Sequence, residues 1–495
     1  MITRIAFALA FIAVSGVSFA QVAQMARFEL PLEEKDEVKY LTAGLAENGL
    51  MAYRRVGGRK EDHVELIKVD TSLHETWRGS IPIDKRLDVM HVRSFGNLFF
   101  LLLKDRERLG RDFQIFAVNM SSGNYGMYSV KNIIPFYPTE FVLTSKAALI
   151  GGYFNNRPLV LFYNFESQSS RILPGFFNSP GELNQIKVNS DGTTDIVVSA
   201  RNFEKRRALW IRTYDPFGEL VRTTVIQPDE DKHLIFGRSM VMPGGRQLVA
   251  GVYGRFTEYS RGVFVATIEP TGEYAIQYHN FAQLKNFFNY MKAKQQKRVK
   301  DRIERKKIKG KKLKFNYRLV VHDLIAYNNQ LLLVGEAFYP HYIYPRMGDP
   351  RFPHYNPQAR TNRVFDGYKY THAVVIGFGK DGQLLWDNSF EINDVKTFQL
   401  QQFVKVQPTN NRILLMYLFE NAIRTKIILD DQVLEGKATD KLKPGATGEE
   451  LDRDFENTDT MDNWYGKYFY AYGTQTLKGR RGSRKVFFIN KITYN

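Results

Sequence analysis

The sequence predicts an all-β protein, a single β-propeller of seven or eight four-stranded blades. Apolar segments with alternating side chains recur directly after short turns, and the first of them begin about 49 residues apart, close to the length of one blade. The chain also holds 37 Phe and 27 Tyr, aromatic residues that favour strands. Turns such as Asn48-Gly49 and Asp191-Gly192 are typical of tight hairpins. Short strands with regular turns favour a propeller over a sandwich.

The sixth unit indicates the order of strands within a blade. Its strands A to D are YRLVVHDLIAY, QLLLVGEAF, THAVVIGF and QLLWDNSFEI, and tight turns join A to B and C to D. The B strands of the other units are LMAYRR, LFFLLLK, AALIGGYF, TTDIVVSA, RQLVAGVY, RILLMYLF and KYFYAYGTQ. The eighth unit lacks a D strand, and MARFELPL at 25–32 is the segment that we expect to supply it. Seven blades is the alternative, because the polar, acidic linker at 437–462 leaves the A strand of the eighth unit undefined.

Residues 1–20 predict a cleavable signal peptide. Arg4 precedes an apolar run at 5–14, and Ser18 and Ala20 occupy the −3 and −1 positions of a cleavage site. A membrane anchor is the alternative, but the run is shorter than the ~20 residues that a bilayer crossing needs. We therefore expect residues 21–495 to form an exported propeller, located in the periplasm or at the cell surface, or secreted.

The absence of cysteine and the net charge of +18 restrict the function. Without cysteine the chain has no disulfide scaffold, thiolate metal site, Cys nucleophile or lipoprotein anchor. A strongly basic chain favours an acidic partner. The predicted export of the chain argues against nucleic acid as this acidic partner.

The positive charge is predicted to collect on one face of the propeller. Strands A and C run opposite to B and D, so the B–C loops and the D–A connections share a face, which we call the insertion face. Four B–C loops, at 54–62, 104–112, 201–207 and 478–485, carry a net charge of +11, and the insertion at 281–316 adds +12.

The insertion at 281–316 predicts a basic amphipathic helix from 281 to 309. Asn280 and Gln283 form a capping box, and Gly310 ends the helix. An apolar stripe follows the helical period, at Phe281, Leu284, Phe288, Met291, Val299 and Ile303. Such a helix binds an anionic membrane surface or a partner's groove, or packs its stripe on the rim of the propeller.

The second insertion, the B–C loop at 340–371, is rich in proline, tyrosine and arginine. Tyrosine and arginine are frequent anchors of protein interfaces, and aromatic faces also stack on sugars. The alternative is that the rings fold onto their own blade. The candidate binding residues on the whole face are Arg54, Arg55, Arg106, Arg108, Lys205, Arg206, Arg207, Lys294, Lys297, Arg298, Lys306, Lys307, Tyr342, Tyr344, Arg346, Arg351, Tyr355, Arg480 and Arg481.

Motifs that carry chemistry are largely absent. The chain has no P-loop, GxSxG or HExxH, and the spacing of His341, His354 and His372 matches no compact metal site, so we expect neither a metal nor a cofactor. The weak catalytic candidates are His322, Asp323 and Glu336, and the alternative for them is a buried His–Asp pair or a satisfied strand-end carboxylate. An enzyme is therefore the less favoured interpretation.

The signal peptide, the lack of cysteine, the Lys/Asn/Phe/Tyr-rich strands and the stretch KGKKLKFNYRLVVHDLIAYNNQLLLVGEAFYP resemble uncharacterised exported β-propeller proteins of Bacteroidota. The resemblance implies a cell-envelope setting and assigns no functional residue. The sequence thus predicts an envelope binding or scaffold protein whose basic face engages an acidic protein, a lipid headgroup or an anionic glycan. The alternative is a propeller hydrolase or lyase that acts on a polyanionic glycan at the same face.

Overall fold

The protein is an eight-bladed β-propeller. The computed structural model describes residues 22–33, 38–106, 112–132, 134–175, 179–311, 313, 315–344, 363–409, 411–445, 449–452, 458–479 and 482–494. They form eight antiparallel sheets of four or more strands, each in the order A to D from one edge to the other. The prediction of an all-β propeller is confirmed, and the seven-blade alternative is wrong.

The strands follow the predicted units in chain order. After β1 (Val22–Pro31), blade 1 contains β2 (Leu41–Gly44), β3 (Leu50–Val56), β4 (Asp62–Val69) and β5 (Glu75–Ile83). Blade 2 contains β6 (Leu87–Phe95), β7 (Leu98–Asp105), β8 (Phe113–Asn119) and β9 (Tyr125–Val130). Blade 3 contains β10 (Tyr137–Leu143), β11 (Ala147–Phe154), β12 (Arg157–Asn164) and β13 (Ser169–Ile172). Blade 4 contains β14 (Gly181–Val188), β15 (Thr194–Arg201), β16 (Arg207–Tyr214) and β17 (Leu220–Ile226).

The second half of the chain carries the insertions. Blade 5 contains β18 (His233–Val241), β19 (Gln247–Gly254), β20 (Gly262–Ile268) and β21 (Tyr274–Asn280). Blade 6 contains β22 (Arg318–Val321) and β23 (Ile325–Tyr327), which together make strand A, then β24 (Gln330–Ile343), β25 (Val364–Phe378), β26 (Leu384–Glu391) and β27 (Lys396–Thr397). Blade 7 contains β28 (Lys405–Thr409), β29 (Arg412–Phe419), β30 (Ala422–Leu429) and β31 (Gln432–Lys441). Blade 8 contains β32 (Glu450–Leu451), β33 (Thr458–Asn463), β34 (Tyr468–Gly479) and β35 (Gly482–Tyr494).

The hydrophobic core lies between neighbouring blades. In strand β7, Phe99 and Leu101 pack towards blade 1, whereas Phe100 and Leu102 pack towards blade 3. Strands B and C are therefore buried on both faces and appear in the sequence as continuous apolar runs such as LFFLLL. The polar turns between these runs mark the limits of each strand.

Blade 8 joins the two ends of the chain. Strand β1 pairs antiparallel with β35, from Val22 opposite Tyr494 to Pro31 opposite Val486. This matches the segment that the sequence predicts for strand D. The segment 437–462, which the sequence predicts as a linker, instead contributes its first residues to β31 and others to β32 and β33.

The first insertion contains a shorter helix than predicted. Helix α1 spans Ala293–Ile308, and Phe281–Gln283 forms only a 3₁₀ turn, although the predicted capping box of Asn280 and Gln283 is present there. Residues 284–292 leave the helical path because Asp387 in β26 accepts the backbone N–H groups of Lys285 and Asn286. The predicted stripe packs between blades 5 and 6, where Phe281, Leu284, Phe288 and Ile303 are buried.

The second insertion begins and ends as strand, not as loop. Strands β24 and β25 extend beyond the blade as a hairpin whose last pair is Ile343 opposite Val364. Residues 345–362 lie outside the described residues, as does the predicted signal peptide at 1–20. Within the described parts of the chain, no helix is long and apolar enough to cross a membrane.

Candidate functional site

The insertion face holds cavities in which a ligand can bind. Four cavities, of about 770, 340, 630 and 480 Å³, are lined by residues of B–C loops, D–A connections and the strand ends beside them. The first lies between blades 2 and 3, the second between blades 3 and 4, the third beside α1, and the fourth where blades 6, 7 and 8 meet.

The predicted binding residues of blade 1 are engaged within the protein. Arg54 and Arg55 belong to strand β3, and each side chain is only 14% exposed. Arg54 Nε lies 2.8 Å from Glu65 Oε2, and Arg55 pairs with Asp62 and with Asp88 of blade 2. These arginines fasten blade 1 rather than present free cations.

The predicted residues of blades 2 and 4 also form ion pairs. Arg106 Nε lies 2.8 Å from Asp88 Oδ2, and Arg207 Nη1 lies 3.0 Å from Glu182 Oε2. Arg206 pairs with Glu204 in its own loop. Lys205 is exposed at the tip of that loop, with a positive φ of 61°.

Helix α1 presents unpaired cations. Its 16 residues include eight Lys and Arg against Asp301 and Glu304. Seven of the eight are exposed and Lys306 is partly buried, and among the described residues none of them lies within 4.0 Å of a carboxylate. The set contains the predicted Lys294, Lys297, Arg298, Lys306 and Lys307, together with Lys300, Arg302 and Arg305.

The arms of the second insertion carry rings that pack partly on their own hairpin. Tyr342 lies 5.9 Å from Phe365 between ring centroids, and Arg363 Nε donates to the Tyr344 hydroxyl at 2.9 Å. The Tyr342 and Tyr344 side chains remain exposed. Six other predicted binding residues lie outside the described residues: Arg108, Arg346, Arg351, Tyr355, Arg480 and Arg481.

Two of the three weak catalytic candidates form a buried, hydrogen-bonded pair. His322 Nε2 lies 2.7 Å from Glu336 Oε1, and Glu336 is fully buried. The Glu336 carboxylate also accepts the backbone N–H groups of Phe403 and Val404 at the entry to blade 7. Asp323 points elsewhere, with its side chain 70% exposed.

Asp323 belongs to a group of polar and ionisable side chains whose other members, on the A strands of neighbouring blades, the sequence did not predict. Gln185 of blade 4 donates to Asp323 Oδ1 at 3.2 Å, and Arg238 Nε of blade 5 lies 3.4 Å from the same oxygen, so three blades meet here. Burial raises the pKa of Glu140 and lowers the pKa values of Lys187 and Arg238. Charged residues in the middle of predicted inner strands, as in TEFV and QIKV, are the signal that identifies them.

The histidines do not assemble a metal site in the described part of the chain, where no group of three His, Asp or Glu side chains converges. His341 Nδ1 lies 3.1 Å from Asp366 Oδ2, which also binds Lys396. His372 is buried against Tyr290. His354 lies outside the described residues.

Comparison with known proteins adds no family. No family model and no curated protein matches the chain. Similar solved structures include the polysaccharide lyase Uly1, at 10% identity and a TM-score of 0.40, covering 82% of this chain and 90% of that one. Prolyl oligopeptidase B from Galerina marginata is 11% identical with a TM-score of 0.40, covering 88% and 55%. The Dos1 propeller is 9% identical with a TM-score of 0.38, covering 80% and 88%. Similarity at this level assigns no function to this chain. Its description as an eight-bladed propeller rests on its own strand pairing.

Proposed function

We propose that this chain is an exported cell-envelope binding or scaffold protein whose insertion face engages an acidic protein. One observation carries the proposal: the eight Lys and Arg of α1 have no carboxylate partner among the described residues, and seven of them are exposed. Uncompensated like charges along ~24 Å of helix repel one another, and an acidic partner removes that repulsion.

The apolar side of α1 argues against a lipid surface as the partner. An amphipathic helix binds a membrane by inserting its apolar side below the headgroups. In α1 that side is occupied, because Ile303 is buried between blades 5 and 6 and Val299 packs against the same cluster. The outer side is mostly charged and polar, with Ile308 as its one large exposed apolar side chain, so it supplies attraction with little apolar surface to insert.

Exposed apolar side chains near α1 favour a protein over a glycan. Ile308 at the end of the helix is 85% exposed, and Phe256 in the neighbouring B–C loop is 65% exposed. Large apolar side chains beside Arg are common in protein interfaces. An acidic protein with a matching apolar patch satisfies both features.

Export rests on the predicted signal peptide at 1–20. Cleavage after Ala20 leaves the whole of strand β1 in the mature chain, since β1 begins at Val22. Cleavage at this position therefore removes no residue of a described strand.

The test is a crosslinked pull-down of the tagged protein from its native envelope. The variant replaces Lys294 and Arg298 with Gln, and the control variant replaces Lys380 and Lys467 in turns of the opposite face, which removes the same charge. We expect one acidic protein to be captured by the wild type and the control but at least several-fold less by the α1 variant, with capture weakened by salt.

Equal capture by both variants contradicts the proposal. Capture of lipid or glycan alone also contradicts it. Release of fragments from a polyanionic glycan by the purified protein supports the rival hydrolase or lyase, for which the buried Glu140 on an A strand is the favourable observation.

A further inference from the structure

The largest of the four cavities has two chemically different walls. It lies between blades 2 and 3 on the insertion face and measures about 770 Å³, within the range of ~300–1,000 Å³ typical of small-molecule sites. The blade 3 wall is aromatic, and the blade 2 wall is charged. The lining rings are Phe136, Tyr137, Tyr153 and Phe154, and the charged groups opposite are Asp88, Lys104, Asp105 and Arg106.

The aromatic wall offers a ring face at the surface. Tyr137 is 65% exposed, and its hydroxyl makes no hydrogen bond with another described residue. The rings behind it are fixed, because Phe136 packs against Phe113 at 5.1 Å and the Tyr153 hydroxyl accepts the Leu183 N–H at 2.8 Å. An exposed ring beside two fixed rings is suited to stacking against a flat ligand.

The charged wall is held in place by its own ion pairs. The Asp88 carboxylate pairs with two arginines: Oδ1 lies 2.8 Å from Arg55 Nη1, and Oδ2 lies 2.8 Å from Arg106 Nε. These pairs fix the carboxylate at the edge of the cavity. Lys104 lines the cavity although the residue is only 4% exposed, and its burial lowers the pKa of the ammonium group. A carboxylate placed beside this ammonium favours its charged form.

The rim adds a neutral hydrogen-bonding group. Asn155 lies in the tight B–C turn of blade 3 with a φ of 49°, and its side-chain amide makes no hydrogen bond with another described residue. An amide donates and accepts at once, as vicinal hydroxyls do.

We propose that this cavity binds an oligosaccharide that contains a carboxylate-bearing sugar. The pyranose ring stacks on Tyr137, its hydroxyls bond to Asn155 and Asp88, and its carboxylate faces Lys104. An apolar ligand makes no use of the charged wall, and a simple anion makes no use of the aromatic wall. The site lies on other blades than α1, so the inference does not rest on the proposed protein partner.

The test measures binding by calorimetry with two probes, tetragalacturonate and the neutral β-1,4-galactotetraose. We expect the acidic probe to bind about tenfold more tightly, as one charge-assisted hydrogen bond provides. Lys104→Met removes this preference and leaves the affinity for the neutral probe nearly unchanged. Tyr137→Ala weakens the binding of both probes, whereas Tyr137→Trp retains it. Tyr125→Ala on the opposite face is the matched control and leaves the binding unchanged.

Three results overturn the inference. The first is no binding of either probe at millimolar concentration. The second is binding that neither Lys104→Met nor Tyr137→Ala changes. The third is binding lost with the Lys294→Gln/Arg298→Gln variant, which places the saccharide on α1. Since Tyr137 is exposed, its substitution tests the site even where Lys104→Met lowers stability.

Discussion

His372 shows how a single ionisable residue can be committed to the core. The residue is fully buried and stacks on Tyr290 with ring centroids 3.7 Å apart and planes 4° from parallel. Nδ1 lies 3.0 Å from Thr371 Oγ1, whereas Nε2 has no hydrogen-bond partner among the described residues. Burial lowers the pKa of His372 from 6.5 to about 3, so the folded protein holds the neutral ring.

This pKa predicts a loss of stability in acid. The unfolded chain takes up a proton below about pH 6.5 and the folded chain does not until about pH 3, so the stabilisation present above pH 6.5 is lost as the pH falls through this window. His372→Phe keeps an aromatic ring and removes the titration. Between pH 6 and 4, the free energy of unfolding of the wild type is expected to fall more steeply, by about 1.4 kcal/mol per pH unit.

Urea unfolding at several pH values measures this difference. His74→Phe, at a side chain that is 82% exposed, controls for the removal of a histidine. Parallel curves for the wild type and His372→Phe would exclude the assigned role of the buried ring.

At the scale of residues, the sequence predicts which side chains are candidates for a function better than it predicts which side chains they contact. It places His322 and Glu336 near each other, because they lie on neighbouring strands A and B of one blade. It does not indicate that Arg54 and Arg55 are engaged, since their partners Glu65, Asp62 and Asp88 become visible only once the strand register is known. Ion pairing depends on the strand register, and a count of charges along a loop contains no information about that register.

At the scale of elements, the insertion at 281–316 is fastened to blade 6 by Asp387. Its carboxylate accepts the N–H groups of Lys285 and Asn286 at 2.8 Å each, and Asn286 Nδ2 donates to the Asp387 carbonyl oxygen. Ser389 Oγ donates to the Asn286 carbonyl oxygen at 2.9 Å. These bonds replace the internal hydrogen bonds of the longer helix that the sequence predicts.

Asp387→Ala is therefore expected to release this segment without opening the blades. The substitution leaves two backbone donors without an acceptor, at a cost of about 1–3 kcal/mol. Hydrogen exchange at 284–290 should become faster, while exchange in β19 and β25 stays slow. Asp381→Ala, in an exposed turn of the same blade, is the control, and unchanged exchange at 284–290 would refute the fastening role.

The same insertion shows why helical periodicity overestimates the length of the helix. Phe281, Leu284 and Phe288 follow a helical spacing, but their burial comes from packing between two blades. Spacing alone does not separate an amphipathic helix from a segment laid into a groove. Only Ala293–Ile308, rich in Lys, Arg and Gln, has both helical propensity and a single buried position, Ile303.

At the scale of the whole molecule, repetition made the architecture predictable. Each blade repeats the same four strands, so turn residues that recur about 49 residues apart over the first blades indicate the fold before any single strand is certain. The group around Asp323 and Arg238 was not predictable in the same way, because its members come from different blades and are distant in sequence. Which residues of different blades lie next to one another becomes known only from the arrangement of the blades in the ring.

The ring is closed by strand β1. Arg27 Nη1 donates to Asn490 Oδ1 at 3.2 Å and Arg27 Nη2 to Gln475 Oε1 at 3.1 Å, while Phe28 and Leu30 pack against a core cluster of blades 8 and 1. Without β1, strand β35 presents an open edge and blade 8 keeps only strands A to C.

A chain that begins at residue 33 should consequently melt at a lower temperature than the chain that begins at residue 21, and it should aggregate through the open edge. A synthetic peptide of residues 22–32 is expected to raise the melting temperature again, because it restores the pairing with β35. The same peptide with Phe28→Asp and Leu30→Asp should fail, since both side chains face the core cluster. Equal melting temperatures for the two chains would mean that blades 1 to 7 hold the ring without this closure, and that β1 is an attachment to a propeller that is already stable.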